Sequence, residues 1–161
     1  MTIKVGDRLP NATFRLATAD GARPVTTQEF FAGRKIVLFG LPGAFTPTCH
    51  NNHLPGFLAH EAEFKAKGVA EVAMTAVNDH HVLRAWSKAT GADGHIAFLA
   101  DGAADFAKAA GLDYDASAGG LGVRSKRYSM LVEDGVVKIL NIEDAPGKVD
   151  LSGAAHLLAQ M

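Results

Sequence analysis

Apolar residues along this chain fall into two patterns, short unbroken runs and recurrences every three or four positions, and the two alternate. The runs "ATFRLA" (residues 12–17) and "KIVLFGL" (35–41) predict strands, the second bounded by Gly33 and by Pro42 and Gly43. Between them "TTQEFFAG" (26–33) predicts a short helix. From Thr46 to about Lys67, the residues Leu54, Phe57, Leu58 and Phe64 trace one helical face, with a kink predicted at Pro55 and a stop at Gly68. "VAEVAMTAV" (69–77) then reads as a buried strand, and "DHHVLRAWSKAT" (79–90) as a helix with Asp79 at its start. "HIAFLA" (95–100) reads as a strand and "AADFAKAAG" (103–111) as a helix. "RYSMLVEDGVVKILNIE" (127–143) is a hairpin turning at Asp134 and Gly135, and "LSGAAHLLAQM" (151–161) a closing helix. Strands alternating with helices, followed by a late antiparallel hairpin, predict an α/β fold with a mixed central β-sheet flanked by helices on both faces.

Composition narrows the function classes. The 161 residues suit one domain with a real core, and no repeat, low-complexity block or charge run marks a linker, so residues 1–161 are expected to form a single domain. A formal net charge of -1 offers no bulk attraction for nucleic acid or an anionic membrane. No stretch approaches the ~18 apolar residues needed to span a bilayer. "MTIKVGDRLP" lacks a basic segment followed by an apolar run, and "LAQM" is not a peroxisomal address, so a cytoplasmic location is expected. The single cysteine, Cys49, leaves no internal disulfide and suits a reducing compartment.

That cysteine lies in "LPGAFTPTCHNNHLPGF" (41–57), where a strand is predicted to hand over to a helix. Thr46 has the chemistry of an N-cap and Pro47 suits the first helical position, which places Cys49 about third in the helix. Unpaired backbone N–H groups and the helix dipole favour a thiolate there. Taken alone, a lone cysteine is more often an inert core residue, Thr46 a plain cap, Pro42 a turn residue and Arg127 a surface cation.

Together these residues resemble a known family. Pro42, Thr46 and Cys49 spell the P-x-x-x-[TS]-x-x-C signature of the peroxiredoxins, and the element order resembles the thioredoxin-like fold. "PGAFTPTC", "HLPGF", "AVND", Trp86 and "KRYSMLVEDGVVKILNIE" are similar to the type II, or peroxiredoxin-5-like, subgroup over nearly the whole chain. The resemblance implies that Cys49 is the peroxidatic cysteine, that Thr46 supplies a hydroxyl to peroxide and thiolate, and that Pro42 shields the pocket. It assigns the active-site arginine to Arg127, with Arg124 as the nearest competitor. The implied activity is reduction of hydrogen peroxide and organic hydroperoxides, with a sulfenic acid forming on Cys49. An unwinding of the helix start after oxidation, and a homodimer joined near the active-site ends, are further expectations of the resemblance.

The chain departs from part of that subgroup in having no resolving cysteine, and Met74 stands where some relatives carry one. A one-cysteine cycle is therefore expected, recycled by an external thiol such as glutathione, with glutaredoxin, or by thioredoxin, and without a prosthetic cofactor. A C-x-x-C dithiol oxidoreductase does not fit, because Cys49 is followed by "HNN". His50 and His53, with His80 and His81, raise a metal-binding alternative, but "CHNNH" offers only two groups one turn apart and no metal is expected. An interaction module with an incidental cysteine is the third class. His53 is expected to order the helix start by hydrogen bonding, His50 to influence the thiol, and Trp86 to sit in the core near the site.

Overall fold

The structure is a computed structural model that describes residues 1–161. In chain order it contains β1 (Thr13–Thr18), β2 (Gly21–Thr26), α1 (Thr27–Phe31), β3 (Lys35–Gly40), a π-helical turn (Cys49–His53), α2 (Leu54–Ala59) and α3 (Glu61–Ala66). There follow β4 (Glu71–Ala76), α4 (His80–Thr90), β5 (Ala97–Ala100), α5 (Asp105–Ala109), β6 (Asp113–Asp115), β7 (Val123–Ser125), β8 (Tyr128–Glu133), β9 (Val136–Ile142) and α6 (Ala154–Gln160). The main sheet has seven strands in the order β2-β1-β5-β4-β3-β8-β9, while β6 and β7 form a separate pair. Strands β3, β4 and β5 run parallel, and β1, β8 and β9 add antiparallel pairings on either side. This is the mixed α/β sheet of a thioredoxin-like fold.

Alternation along the strands builds a core on each face. Val37 and Phe39 of β3 join Met74, Phe98, Leu83, Trp86 and Leu157 on one side, whereas Ile36 and Leu38 join Phe14, Phe31, Phe106 and Met130 on the other. Burial of each large apolar side chain contributes about 1.5–3 kcal/mol relative to exposure. Local signals fix the ends of the elements. Asp79 accepts a hydrogen bond from Val82 N (3.0 Å) to cap α4, and Thr26 accepts from Glu29 N (3.1 Å) to cap α1. The β8–β9 turn places Asp134 and Gly135 at φ 48° and 77°, the paired positive values of a tight hairpin that Asp-Gly accommodates.

Three features differ from the sequence expectations. Strand β2, an edge strand containing Pro24, pairs with β1 in a hairpin that the apolar pattern does not reveal. The segment expected as one helix from Thr46 to Lys67 is helical from Pro47 to Ala59 and again over α3, but it is not regular throughout. A turn at Pro47 and Thr48 widens into the π-helical turn, α2 follows with Pro55 in its first turn, and His60 separates α2 from α3. The short β6–β7 pair was also not anticipated.

Candidate active site

Strand pairing assembles the site. Gly40, the last residue of β3, sits opposite Tyr128, the first residue of β8, so the loop that leaves β3 toward Cys49 lies beside the residue preceding β8, which is Arg127. Cys49 and Arg127 are both buried, and Arg127 Nη2 donates to Cys49 Sγ at 3.1 Å. The other edges of the guanidinium are also engaged. Its Nε donates to the Pro146 carbonyl (2.9 Å) and its Nη1 meets His53 Nδ1 (2.9 Å). The guanidinium is a fixed cation at hydrogen-bond distance from the sulfur, held by three separate contacts.

His53 is fully buried, packed tilted and edge-on against the stacked rings of Phe39 and Phe57, with centroids 5.2 and 5.4 Å away. Burial first, and then the positive charge of Arg127, lower its pKa to about 3, against an opposing pull from the Ser152 carbonyl. The imidazole is therefore neutral. Because Arg127 can only donate, Nδ1 must be the bare nitrogen, and Nε2–H donates to Ser152 O (3.0 Å).

The loop before Cys49 is anchored from two directions. Ala44 N donates to Asn78 Oδ1 (2.9 Å), and Arg124 Nη1 donates to the carbonyl of buried Pro42 (3.3 Å). Thr46 lies just before Pro47, but its hydroxyl donates back to Gly43 O (2.7 Å), so the side-chain cap expected from its chemistry is not what holds the turn. The structure separates the two candidate arginines, with Arg127 on the sulfur and Arg124 on the loop.

His50, one residue beyond Cys49, accepts from Trp86 Nε1 at 2.9 Å through its Nδ1. Trp86 is fully buried, and exposed Phe45 at φ 63° stacks on His50 with centroids 5.7 Å apart. The imidazoles of "CHNNH" are thus engaged separately, His50 by Trp86 and His53 by Arg127 and Ser152. No three His, Cys, Asp or Glu side chains converge as a metal site would require.

Sequence reasoning missed several supporting residues. Glu143 Oε2 accepts from Leu151 N, Ser152 N and Ser152 Oγ at 2.7, 2.6 and 2.7 Å. Tyr114 also faces the site. Burial first, and then the repulsion of a negative charge at Cys49, push its phenol above the ordinary value, against the pull of Arg127 and Arg124. A cleft of about 240 Å³ beside Arg127 is lined by Tyr114, Lys126, Glu143, Asp144 and Pro146. The one available signal was position: Glu143 closes the "KRYSMLVEDGVVKILNIE" block directly after β9.

Residues 4–158 match the Redoxin family model. The chain is 48% identical over 162 residues to peroxiredoxin-2E-2, chloroplastic, of Oryza sativa subsp. japonica, covering 98% of this chain and 72% of that protein. It is 43% identical to peroxiredoxin-2C of the same organism, covering 97% and 96%. Among solved structures, reduced Prx3 of Vibrio vulnificus in complex with hydrogen peroxide superposes with a TM-score of 0.93 at 46% identity, covering 99% of each chain.

Proposed function

The chain belongs to the Redoxin family and is a peroxiredoxin, a thiol peroxidase, and on that premise we propose that Cys49 is its peroxidatic residue in a one-cysteine cycle recycled by glutathione. The observation that carries the reading is the 3.1 Å contact between Arg127 Nη2 and Cys49 Sγ in a buried setting. The Cys49 thiolate attacks the terminal oxygen of a hydroperoxide ROOH. An S–O bond forms as the O–O bond breaks, leaving a sulfenic acid on Cys49 and RO⁻, which takes a proton to become ROH. Arg127 stabilises the charge that moves from sulfur to the departing oxygen, and removing one such donor typically costs about 3–4 kcal/mol of barrier. Thr46 and Pro42 shape the approach to the sulfur, and Arg124 steadies Pro42.

With no second cysteine in the chain, an external thiol must condense with the sulfenic acid, releasing water and forming a mixed disulfide. A second thiol then attacks that disulfide, restores the Cys49 thiolate and leaves as the oxidised dimer of the reductant. The cycle uses no prosthetic group. The cleft beside Arg127 offers Lys126 to a carboxylate of glutathione and Asp144 to its ammonium group, while the Glu143 carboxylate in the same lining is already engaged by Leu151 and Ser152. Because Cys49 has no exposed surface, the thiol gains access only when the segment carrying the sulfur opens, and the π-helical turn is the weak point of that segment. Exposed Phe45, Leu121 and Val123 favour the homodimer that the resemblance implies.

Peroxide consumption coupled to glutathione with glutaredoxin, compared with a thioredoxin system, tests the scheme. Turnover with glutathione and its loss in Cys49→Ser support it. Turnover with thioredoxin alone replaces the reductant, and wild-type-like turnover by Cys49→Ser removes the whole reading.

A further inference from the structure

Hydrogen bonds around the site close a circuit that starts and ends on Arg127. The Arg127 carbonyl accepts from Glu143 N (2.9 Å), since the two residues lie beyond the paired ends of β8 and β9. The Glu143 carboxylate grips Ser152 through its N–H and hydroxyl. The Ser152 carbonyl accepts from His53 Nε2, and His53 Nδ1 accepts from the Arg127 guanidinium. The side chain of Arg127 is thereby tied to its own backbone through Glu143, Ser152 and His53.

A guanidinium is a rigid planar fork, so fixing two of its N–H directions fixes the third. With Nε on Pro146 O and Nη1 on His53 Nδ1, the remaining edge points Nη2–H at Cys49 Sγ. We propose that His53 is a positioning residue for the peroxide step: its bare Nδ1 takes Nη1–H and thereby aims Nη2–H at the sulfur, while the Glu143–Ser152 clamp holds the tautomer that makes Nδ1 an acceptor. This rests on the role of Arg127 given above. A protonated His53 would have no acceptor and would repel the guanidinium. Its charged and titratable surroundings are Arg127 and Cys49 on the site side and, across the groove it lines, His60, Asp150 and His156.

Two substitutions separate positioning from mere anchoring. In His53→Asn, Oδ1 occupies roughly the place of Nδ1 and keeps the acceptor for Arg127 but loses the bond to Ser152. In His53→Gln, the amide nitrogen stands roughly where Nε2 stood and keeps Ser152 but loses the acceptor. The second-order rate constant of the reduced protein with hydrogen peroxide is read by rapid mixing, with Arg127→Ala as reference. The expected order is His53→Asn close to wild type and His53→Gln roughly tenfold to a hundredfold slower, the scale of a misplaced reacting group. The reverse order, equal losses, or two unaffected rates overturn the proposal. A slow Arg127→Ala beside a wild-type-like His53→Gln overturns this proposal alone, whereas an unaffected Arg127→Ala overturns the function reading and this proposal with it. If neither His53 variant folds, nitrogen NMR of the histidines in the wild-type protein decides. A bare Nδ1 with no titration between about pH 5 and pH 8 supports the proposal, and the opposite tautomer or an ordinary titration overturns it.

Discussion

Arg127 Nη2 lies 3.1 Å from Cys49 Sγ although 78 residues separate the two in sequence, and the antiparallel pairing of β3 with β8 brings them together. The contact is charge-assisted when the sulfur is a thiolate and is shielded from water on both sides. Arg127→Ala is expected to slow sulfenic acid formation about 10²–10³-fold. Arg127→Lys should not restore the rate, because a single ammonium cannot reach Cys49, His53 and Pro146 in the same plane. Rapid mixing of each reduced variant with hydrogen peroxide checks this, and a wild-type rate for either variant removes Arg127 from the mechanism.

Thr46 tests whether the loop before the helix acts through its shape or its hydroxyl. Its Oγ1 donates to Gly43 O at 2.7 Å, so Thr46→Val loses about 1 kcal/mol of stability and at least part of the peroxide rate, whereas Thr46→Ser retains both. Urea unfolding alongside the peroxide rate separates the effects. Lowered stability with a normal rate would confine Thr46 to holding the turn.

Burial of His53 makes stability depend on pH. The folded protein keeps His53 neutral until about pH 3, while an unfolded histidine takes up a proton near pH 6.5. Between those values the unfolded chain binds the extra proton, so this contribution is complete above about pH 6.5 and is lost as pH falls toward 3. The stability difference between wild type and His53→Asn is therefore expected to shrink by about 2 kcal/mol between pH 7 and pH 5. A difference that stays constant over that range would mean that His53 takes up its proton in the folded protein as readily as in the unfolded chain.

Gly40 permits the close packing that sets Arg127 beside the Cys49 loop. A Cβ at this position would overlap the buried ring of Tyr128, which follows Arg127 directly. Gly40→Ala is expected to cost about 1–3 kcal/mol and to slow the peroxide step as β8 shifts. An unchanged urea midpoint would show that the ring moves freely.

Much of this architecture is legible locally. Asp79 before α4, Asp134 and Gly135 between β8 and β9, and Gly68 at φ 87° beyond α3 each announce an element boundary by their own chemistry. Strand β2 stays hidden because Pro24 is tolerated only through its edge position, which depends on neighbours rather than on sequence. At the site, the resemblance to the peroxiredoxins singles out Cys49, Thr46, Pro42 and Arg127, but not the direction of the Thr46 hydroxyl. Glu143 and Ser152 escaped notice for a similar reason. Their pairing follows from the β8–β9 register and the return of the following loop, and no run of residues near Cys49 encodes it.

The most direct test of Cys49 activation is rapid mixing of the reduced protein with one equivalent of hydrogen peroxide, followed by Trp86 fluorescence and by the intact mass after trapping. Trp86 reports because its Nε1 donates to His50, the residue next to Cys49. Sulfenic acid formation on Cys49 orders of magnitude faster than on a free thiol is the predicted result. Oxidation no faster than that of a free thiol would contradict the assembly of Arg127 and Cys49 into a peroxidase site.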